Sequence, residues 1–239
     1  MADNEKDSVN SGKVESVGGA VIFELDNVLL GGNRVLYDIV SSLMSKRGIK
    51  MTPVMFSRYC IDSTPPEFLA ALLEAGNKKN LSSDALLKEF NEKIGSAFKN
   101  GSMKADSSVV ALLKKASKNG LSLGALTWME PGKSSEILES VDIKDIQISV
   151  CSYANEGNLA PSADVWMRSA KAVETKSAHC MGIAASSSAC KACLSAGMRC
   201  VAVTDEFTSF QDFGGCDYVT DSLDKSAVDE IYKLLDIAE

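Results

Sequence analysis

The hydrophobic positions of the chain follow two different patterns. Between residues 33 and 100, apolar residues recur at spacings of three and four, as at Leu36, Ile39, Val40 and Leu43, which is typical of amphipathic helices. From Asp106 onward, short apolar runs alternate with helical stretches. This alternation predicts right-handed β-α-β units and a parallel sheet covered by helices on both faces.

Local start and stop signals divide the first block into four predicted helices. The first ends at Arg47 and Gly48, the second begins at Thr52 and Pro53, and the third begins in the stretch 63–67. The fourth begins in the stretch 81–90, where a serine can cap its first turn. No convincing strand interrupts residues 33–100, so we expect an all-helical insert.

The rest of the chain predicts strands and helices in alternation. The predicted strands are Ala20–Phe23, Leu121–Thr127, Ile146–Ser152, Cys180–Ala184, Arg199–Thr204 and Tyr218–Thr220. The predicted helices between and after them are Ser107–Lys118, Ser134–Ser140, Asp164–Val173, Ser187–Ala196 and Lys225–Leu235. The fold class is therefore α/β, with a three-layer, Rossmann-like parallel sheet.

The first strand ends at two acidic residues, Glu24 and Asp26, which are followed by Gly31 and Gly32. In an open parallel sheet the carboxyl end of such a strand faces the ligand crevice, and we expect it to open there into a loop. Residues two apart point the same way. The two acids are therefore candidate catalytic residues, although acids that simply end a strand in water explain this stretch equally well.

Composition narrows the range of partners. The 239 residues carry a net charge of −7 and no cluster of lysines, which argues against nucleic acid or an anionic membrane as a partner. The apolar runs are too short to span a bilayer. Residues 1–17 are polar and lack the apolar segment of a secretory signal, which indicates a disordered tail.

Seven cysteines, an odd number without a signal peptide, indicate free thiols in the cytoplasm or another reducing compartment. Cys190 and Cys193 form one CxxC pair. A zinc site usually needs four ligands from two such pairs, and the chain has a single histidine, His179. Because both cysteines fall inside a predicted helix, we expect them to pack as small apolar residues. A redox or metal protein remains the weakest alternative.

Several segments resemble the haloacid dehalogenase (HAD) superfamily of phosphohydrolases. The stretch 23–29 is similar to its first motif, Phe-Asp-x-Asp-Gly-Val-Leu, with Glu24 in place of the nucleophilic Asp and Asn27 in place of Gly. The segment 195–203 is similar to Ala-Ala-Gly-Met-x-x-Ile-Ala-Val of the same superfamily and is the most specific fragment. Residues 207–213 and 216–219 resemble the ending of the CbbY-like proteins.

The resemblance covers the chain from about residue 19 onward. A helical insert after the first strand is the layout of the subfamily that includes β-phosphoglucomutases, phosphoglycolate phosphatases and CbbY-like proteins. It implies a HAD-like core made of residues 18–32 and 101–239, with a helical cap at 33–100.

The catalytic motifs of the superfamily are degenerate in this chain. Asp26 stands at the position of the general acid, and Thr127 at that of the phosphate-binding hydroxyl. Ala160 replaces the lysine of the third motif. Ala184 and Ala185 replace both acids of the fourth motif. The resemblance therefore implies that Glu24, Asp26 and Thr127 are vestigial.

These replacements predict weak chemistry. In the superfamily, Mg²⁺ is held by the nucleophile, a backbone carbonyl and a fourth-motif acid, so Glu24 is the only ligand side chain left. We therefore expect no cofactor. A misplacement of roughly 1 Å costs about 10²-fold in rate, and Glu24 is one methylene longer than Asp. A lost charge that stabilises the transition state costs about 10²–10³-fold.

The sequence thus predicts a pseudoenzyme with a binding or structural role, whose partner is an unknown protein or small molecule. The alternative is a low-activity HAD phosphatase acting on a small phosphate ester or sugar phosphate. It would use Mg²⁺, Glu24 as nucleophile, Asp26 as acid/base and Thr127 as phosphate ligand. Lys133, Asp205 or Glu206 could then supply the missing charges, although we favour their assignment as solvated loop and helix-start residues.

Overall fold

Six parallel strands form the centre of the structure, a computed structural model that describes residues 18–99, 104–143, 145–157 and 159–235. The strands are β1 (Ala20–Glu24), β2 (Ser122–Thr127), β3 (Ser149–Ser152), β4 (Cys180–Ala184), β5 (Arg199–Val203) and β6 (Tyr218–Thr220). Their order is β3-β2-β1-β4-β5-β6, and all neighbouring strands are parallel. The predicted parallel sheet is confirmed. The expected tail at 1–17 lies outside the described residues.

Nine helices lie in the described ranges, and most begin where the local signals predict. They are α1 (Gly32–Ser45), α2 (Pro53–Tyr59), α3 (Pro65–Ala75), α4 (Ser83–Lys99), α5 (Ser107–Lys118), α6 (Pro131–Ser140), α7 (Ala163–Ala172), α8 (Ser187–Ser195) and α9 (Lys225–Leu234). The Thr52 side chain accepts from the Met55 N–H at the start of α2, and Thr64 and Glu67 form a capping box on α3. None of these helices is long and apolar enough to cross a membrane.

Two hydrophobic clusters fill the two faces of the sheet. Along β1, Val21 and Phe23 join the cluster that α5 and α9 cover, whereas Ala20 and Ile22 join the cluster that α7 and α8 cover. Successive side chains of a strand point to opposite faces, so a strand buried on both sides reads as a continuous apolar run. This arrangement confirms the predicted three-layer fold.

Helices α1 to α4, which we call the helical block, pack around a third cluster of their own, which includes Leu43, Phe56, Phe68 and Leu72. The loop after β5 contributes Phe207 to the same cluster. Its ring centroid lies 5.0 Å from that of Phe56 and 4.8 Å from that of Tyr37. The helical block therefore contacts the α/β core through this loop.

The segment after β1 differs from the expected open loop. Leu25–Leu29 forms a π-helical turn, and the Leu30 N–H donates to the Leu25 carbonyl at 3.1 Å. Leu25, Val28 and Leu29 are buried in the core, and their burial explains why the segment folds inward. Gly31 then adopts the left-handed conformation that starts α1, with φ 58°. The expectation of an open loop was wrong, and Asp26 is buried as a result.

Candidate functional site

The polar residues singled out in the sequence meet at the carboxyl edge of the sheet. Glu24 ends β1, Thr127 ends β2 and Ala184 ends β4, and these three strands are neighbours. Strand order reverses at β1, which is where open α/β sheets form their ligand crevice. Glu24 and Asp26 are each 1% exposed and Thr127 is fully buried. The edge therefore contains three buried polar groups that need partners.

Both carboxylate oxygens of Glu24 are already hydrogen-bonded within the chain. Oε1 accepts from the Ala185 N–H at 2.8 Å, and Oε2 accepts from Asn27 Nδ2 at 3.2 Å. Burial is the main cause that raises the pKa of Glu24 to about 7; the two hydrogen bonds lower it, and the nearby Asp62 charge adds a smaller increase. A substantial fraction of Glu24 is therefore protonated near neutral pH.

Asp26 is held in the same way. The Thr127 hydroxyl donates to its Oδ1 at 2.9 Å, and the Trp128 N–H donates to its Oδ2 at 3.0 Å. Thr127 Oγ1 in turn accepts from the Met129 N–H at 3.0 Å. Burial raises the pKa of Asp26 to about 7, while the Trp128 and Thr127 hydrogen bonds lower it. The single hydroxyl proton of Thr127 is thus committed to Asp26.

Sequence reasoning missed a second polar group, which comes from the α2–α3 loop. Asp62 adopts a left-handed backbone conformation, with φ 70°. Its Oδ1 accepts from the Ser186 hydroxyl at 3.2 Å and from the Ser188 hydroxyl. Ser186 also caps α8 through the Ala189 N–H. No local signal marks Asp62, because its partners are more than a hundred residues away along the chain.

The crevice at this edge is almost closed. It is lined by residues of the α/β core and of the helical block, among them Asn27, Asp62, Trp128, Ala160 and Ser186. Its cavity volume is about 10 Å³, which is roughly the space of one water molecule. A larger hollow of about 360 Å³ opens at the amino ends of the strands, beside Ser122 and Ser149, away from the two carboxylates. In this conformation the crevice does not have room for a phosphate group.

The three residues that could supply missing charges have other surroundings. Asp205 accepts from Asn33 Nδ2 at 2.9 Å and from the Phe207 and Thr208 N–H groups of its own loop. Glu206 pairs with Arg34 at 2.6 Å on the surface, and Lys133 is half-buried in the first turn of α6. Among the described residues, the groups that shift the pKa values of Glu24 and Asp26 include no lysine or arginine.

The side chains at this edge do not fit Mg²⁺. The ion needs near-ideal octahedral oxygen coordination, usually with one or two carboxylates. Here both oxygens of Glu24 face N–H donors, and Ala184 and Ala185 offer methyl groups where the resemblance requires an acid. The Ala185 N–H occupies Oε1 of Glu24, the carboxylate to which the resemblance assigns the metal.

Comparison with known proteins agrees with the parallel-sheet fold described above. A family model described as haloacid dehalogenase-like hydrolase matches residues 21–203. The chain belongs to this family. A search of curated proteins found no significant match.

Solved structures of HAD proteins share the fold at low sequence identity. A β-phosphoglucomutase from Clostridium difficile is 22% identical, with a TM-score of 0.69 over 91% of this chain and 97% of that one. A predicted phosphoglycolate phosphatase from Haemophilus somnus is 13% identical, with a TM-score of 0.72 over 92% and 99%. CbbY from Rhodobacter sphaeroides, solved with phosphate, is 15% identical, with a TM-score of 0.68 over 87% and 95%. The resemblance seen in the sequence is confirmed at the level of family and fold.

Proposed function

We propose that this HAD-like protein has lost phosphohydrolase activity and acts through a binding or structural role. One observation carries the proposal: Glu24, Asp26 and Thr127 are buried and satisfy their hydrogen bonds from within the chain, beside a crevice of about 10 Å³ that none of them lines. A hydrolase needs the same groups to face the phosphoryl group instead.

The electrostatics of the crevice support this proposal. A phosphate entering it would meet the acid Asp62 in the lining and approach the buried acids Glu24 and Asp26, and position 160 carries an alanine in place of a lysine that could compensate their charge. A carboxyl group whose pKa is about 7 is also partly protonated at neutral pH and is then no nucleophile. Both the binding of phosphate and its attack by Glu24 are therefore disfavoured.

A low-activity phosphatase is the second candidate. Here Glu24 would be the nucleophile, Asp26 the acid/base and Thr127 the phosphate ligand, with Mg²⁺ required. One observation favours it: a general acid works best when its pKa lies near the working pH, and that of Asp26 is about 7. The crevice would have to open, and a cation would have to reach it.

We further propose that the helical block at 33–100 is a closed cap. Asp62 of this block bonds to Ser186 and Ser188 beside the crevice, and Phe207 anchors the block to the α/β core. The partner is an unknown protein or a small molecule, and we propose neither nucleic acid nor membrane. Free thiols at all seven cysteines support the cytoplasm or another reducing compartment.

The experiment that tests this proposal reintroduces the motif residues that the chain lacks. The variant Glu24→Asp, Ala160→Lys, Ala185→Asp is assayed with excess Mg²⁺ on a panel of phosphate esters and sugar phosphates. Its matched control carries Glu24→Asn with the same two additions at 160 and 185. We expect Mg²⁺-dependent turnover in the repaired variant, none in the control and none in the natural chain. Turnover by the natural chain would support the phosphatase instead.

A further inference from the structure

Three cysteine sulfurs converge on one point from three separate elements. Cys190 lies in α8, Cys200 lies in β5 and Cys216 lies in the loop before β6. Their sulfur atoms all lie within 4.8 Å of one another, and those of Cys200 and Cys216 are 4.0 Å apart. Cys190 is 10 positions before Cys200 in the sequence, and Cys216 is 16 positions after it. They meet here because the fold places α8 and the loop before β6 against β5.

These separations match a thiolate metal site. With a zinc–sulfur bond of about 2.3 Å, sulfurs lie about 3.8 Å apart in a tetrahedral site and about 4.0 Å apart in a trigonal one. The three sulfurs therefore need to approach by less than about 1 Å to share one ion. Small rotations about the Cα–Cβ bonds are sufficient for such a movement.

The backbone holds the sulfurs in place without a bound ion. The Cys200 N–H donates to Asp217 Oδ2 at 2.7 Å, and the Asp217 N–H donates to the Cys200 carbonyl at 2.9 Å. This pair fixes the residue after Cys216 beside β5. Gly215, with φ 95°, makes the turn that places Cys216 beside Cys200. A binding site benefits from such a frame, because less freedom is lost when the ion binds.

Access and charge are consistent with a zinc site. Cys190 and Cys200 are buried, whereas Cys216 is only partly buried. Burial raises the pKa of the Cys216 thiol to about 12, so this thiol carries its proton in the metal-free chain. Coordination removes the protons to solvent. Three thiolates with Zn²⁺ leave a net charge of −1, which is less costly to bury than the −2 that Cu⁺ would leave.

Cys193 shows why the sequence motif alone misleads. It forms the CxxC pair with Cys190, but its thiol is directed to the Arg199 carbonyl at 3.6 Å and its sulfur is not one of the convergent three. The sequence analysis expects both cysteines of this pair to pack as small apolar residues, whereas the structure brings Cys190 together with two thiols from other elements.

We propose that Cys190, Cys200 and Cys216 bind one zinc ion, with water as the fourth ligand, and that the ion links α8, β5 and the β6 edge. This site is separate from the carboxylates at Glu24 and Asp26. The role is structural and does not depend on whether the crevice hydrolyses phosphate esters.

The test uses the reduced full-length chain, freed of metal with a chelator. Zinc is titrated against a chromogenic chelator, and Co²⁺ is used to detect thiolate-to-metal charge transfer. We expect one equivalent of zinc per chain and a rise in the thermal unfolding midpoint when zinc is added. Cys216→Ser should lose that equivalent, the cobalt charge-transfer band and the rise in the midpoint.

Two control variants distinguish this site from adventitious binding to thiols. Cys151→Ser removes a half-exposed thiol like Cys216, but on β3 at the opposite edge of the sheet, and should bind zinc as the natural chain does. Cys193→Ala breaks the CxxC pair and should also retain binding. Circular dichroism of each metal-free variant checks its fold. Absence of an equivalent in the natural chain, or equal binding by Cys216→Ser, would overturn the proposal, as would loss of zinc from a folded Cys193→Ala variant.

Discussion

Two buried carboxyl groups link single residues to the stability of the whole fold. Glu24 and Asp26 have pKa values of about 7 in the folded chain, against ordinary values of 4.5 and 3.8. A carboxyl group with a raised pKa binds its proton more tightly when folded. Its stabilising effect is therefore complete below the unfolded pKa and is lost as the pH rises through about 7.

The first prediction follows from the direction of these two pKa shifts. The free energy of unfolding should be higher at pH 5 than at pH 8, by on the order of 5 kcal/mol for the two groups together, as measured by urea denaturation across this range. Asp26→Asn should reduce this difference by about half, because the amide cannot ionise and Glu24 still does. Glu136→Gln, at an exposed position in α6, serves as the control and should leave it unchanged. A natural chain that is more stable at pH 8 would contradict the assignment.

The second prediction concerns the hydroxyl group of Thr127. Thr127→Val leaves Asp26 Oδ1 and the Met129 N–H without their shared partner. We expect a loss of about 1–3 kcal/mol in the free energy of unfolding, because unsatisfied buried polar groups are costly. Thr127→Ser keeps the hydroxyl and should lose clearly less. A Thr127→Val variant as stable as the natural chain would show that these hydrogen bonds do not stabilise the fold.

At the scale of secondary-structure elements, the sequence predicts what is encoded locally. The Thr52 cap, the capping box of Thr64 and Glu67 and the Asp106 cap each lie within four residues of the helix that they start. The π-helical turn at 25–29 escapes such reasoning, because it depends on burial of Leu25 and Leu29 against distant residues. A strand-end loop was the natural expectation.

The candidate site, too, could be predicted from the sequence only in part. The motifs identify Glu24, Asp26 and Thr127 as candidate site residues, and the predicted parallel sheet places them at the same edge. The sequence could not show that their hydrogen bonds close on one another, since these depend on interatomic distances. Nor could it predict Asp62 beside Ser186, or Cys216 beside Cys200, because those contacts depend on the packing of separate elements.

The third prediction tests the packing of α8 and α7 on the sheet. A Cβ atom on Gly182 of β4 would overlap the Cys193 sulfur and lie 3.0 Å from the Trp166 ring. Gly182→Ala should cost about 1–3 kcal/mol, as overpacked cores do, in thermal or urea unfolding. Gly132→Ala in α6 has open space around it and should be close to neutral. If Gly182→Ala is also neutral, the close packing described at β4 is wrong.

At the scale of the whole molecule, residues of the helical block line one side of the crevice, and the proposed cap depends on how the block is attached to the α/β core. Phe207 of the α/β core sits between Tyr37 and Phe56 of the block and is 1% exposed. Nearby, Arg34 and Glu206 form an ion pair that is more than half exposed. The buried ring should therefore hold the block, and the exposed pair should contribute little.

The fourth prediction compares these two contacts. Phe207→Ala should cost about 3–5 kcal/mol in the free energy of unfolding and should increase cleavage of the block by a protease under native conditions. Arg34→Ala should cost no more than about 1 kcal/mol and leave the proteolysis pattern unchanged. Similar effects in the two variants would show that the ring is not the main attachment.

The most direct test of the whole account is prolonged hydrolysis of phosphate esters and sugar phosphates with excess Mg²⁺, comparing the natural chain with Glu24→Gln. We predict that both stay at the background of buffer alone, because the carboxylates are bonded internally and the described side chains at this edge of the sheet do not fit Mg²⁺. Turnover by the natural chain that Glu24→Gln abolishes would contradict this. It would show that the crevice opens and that a residue such as Lys133 supplies the missing charge.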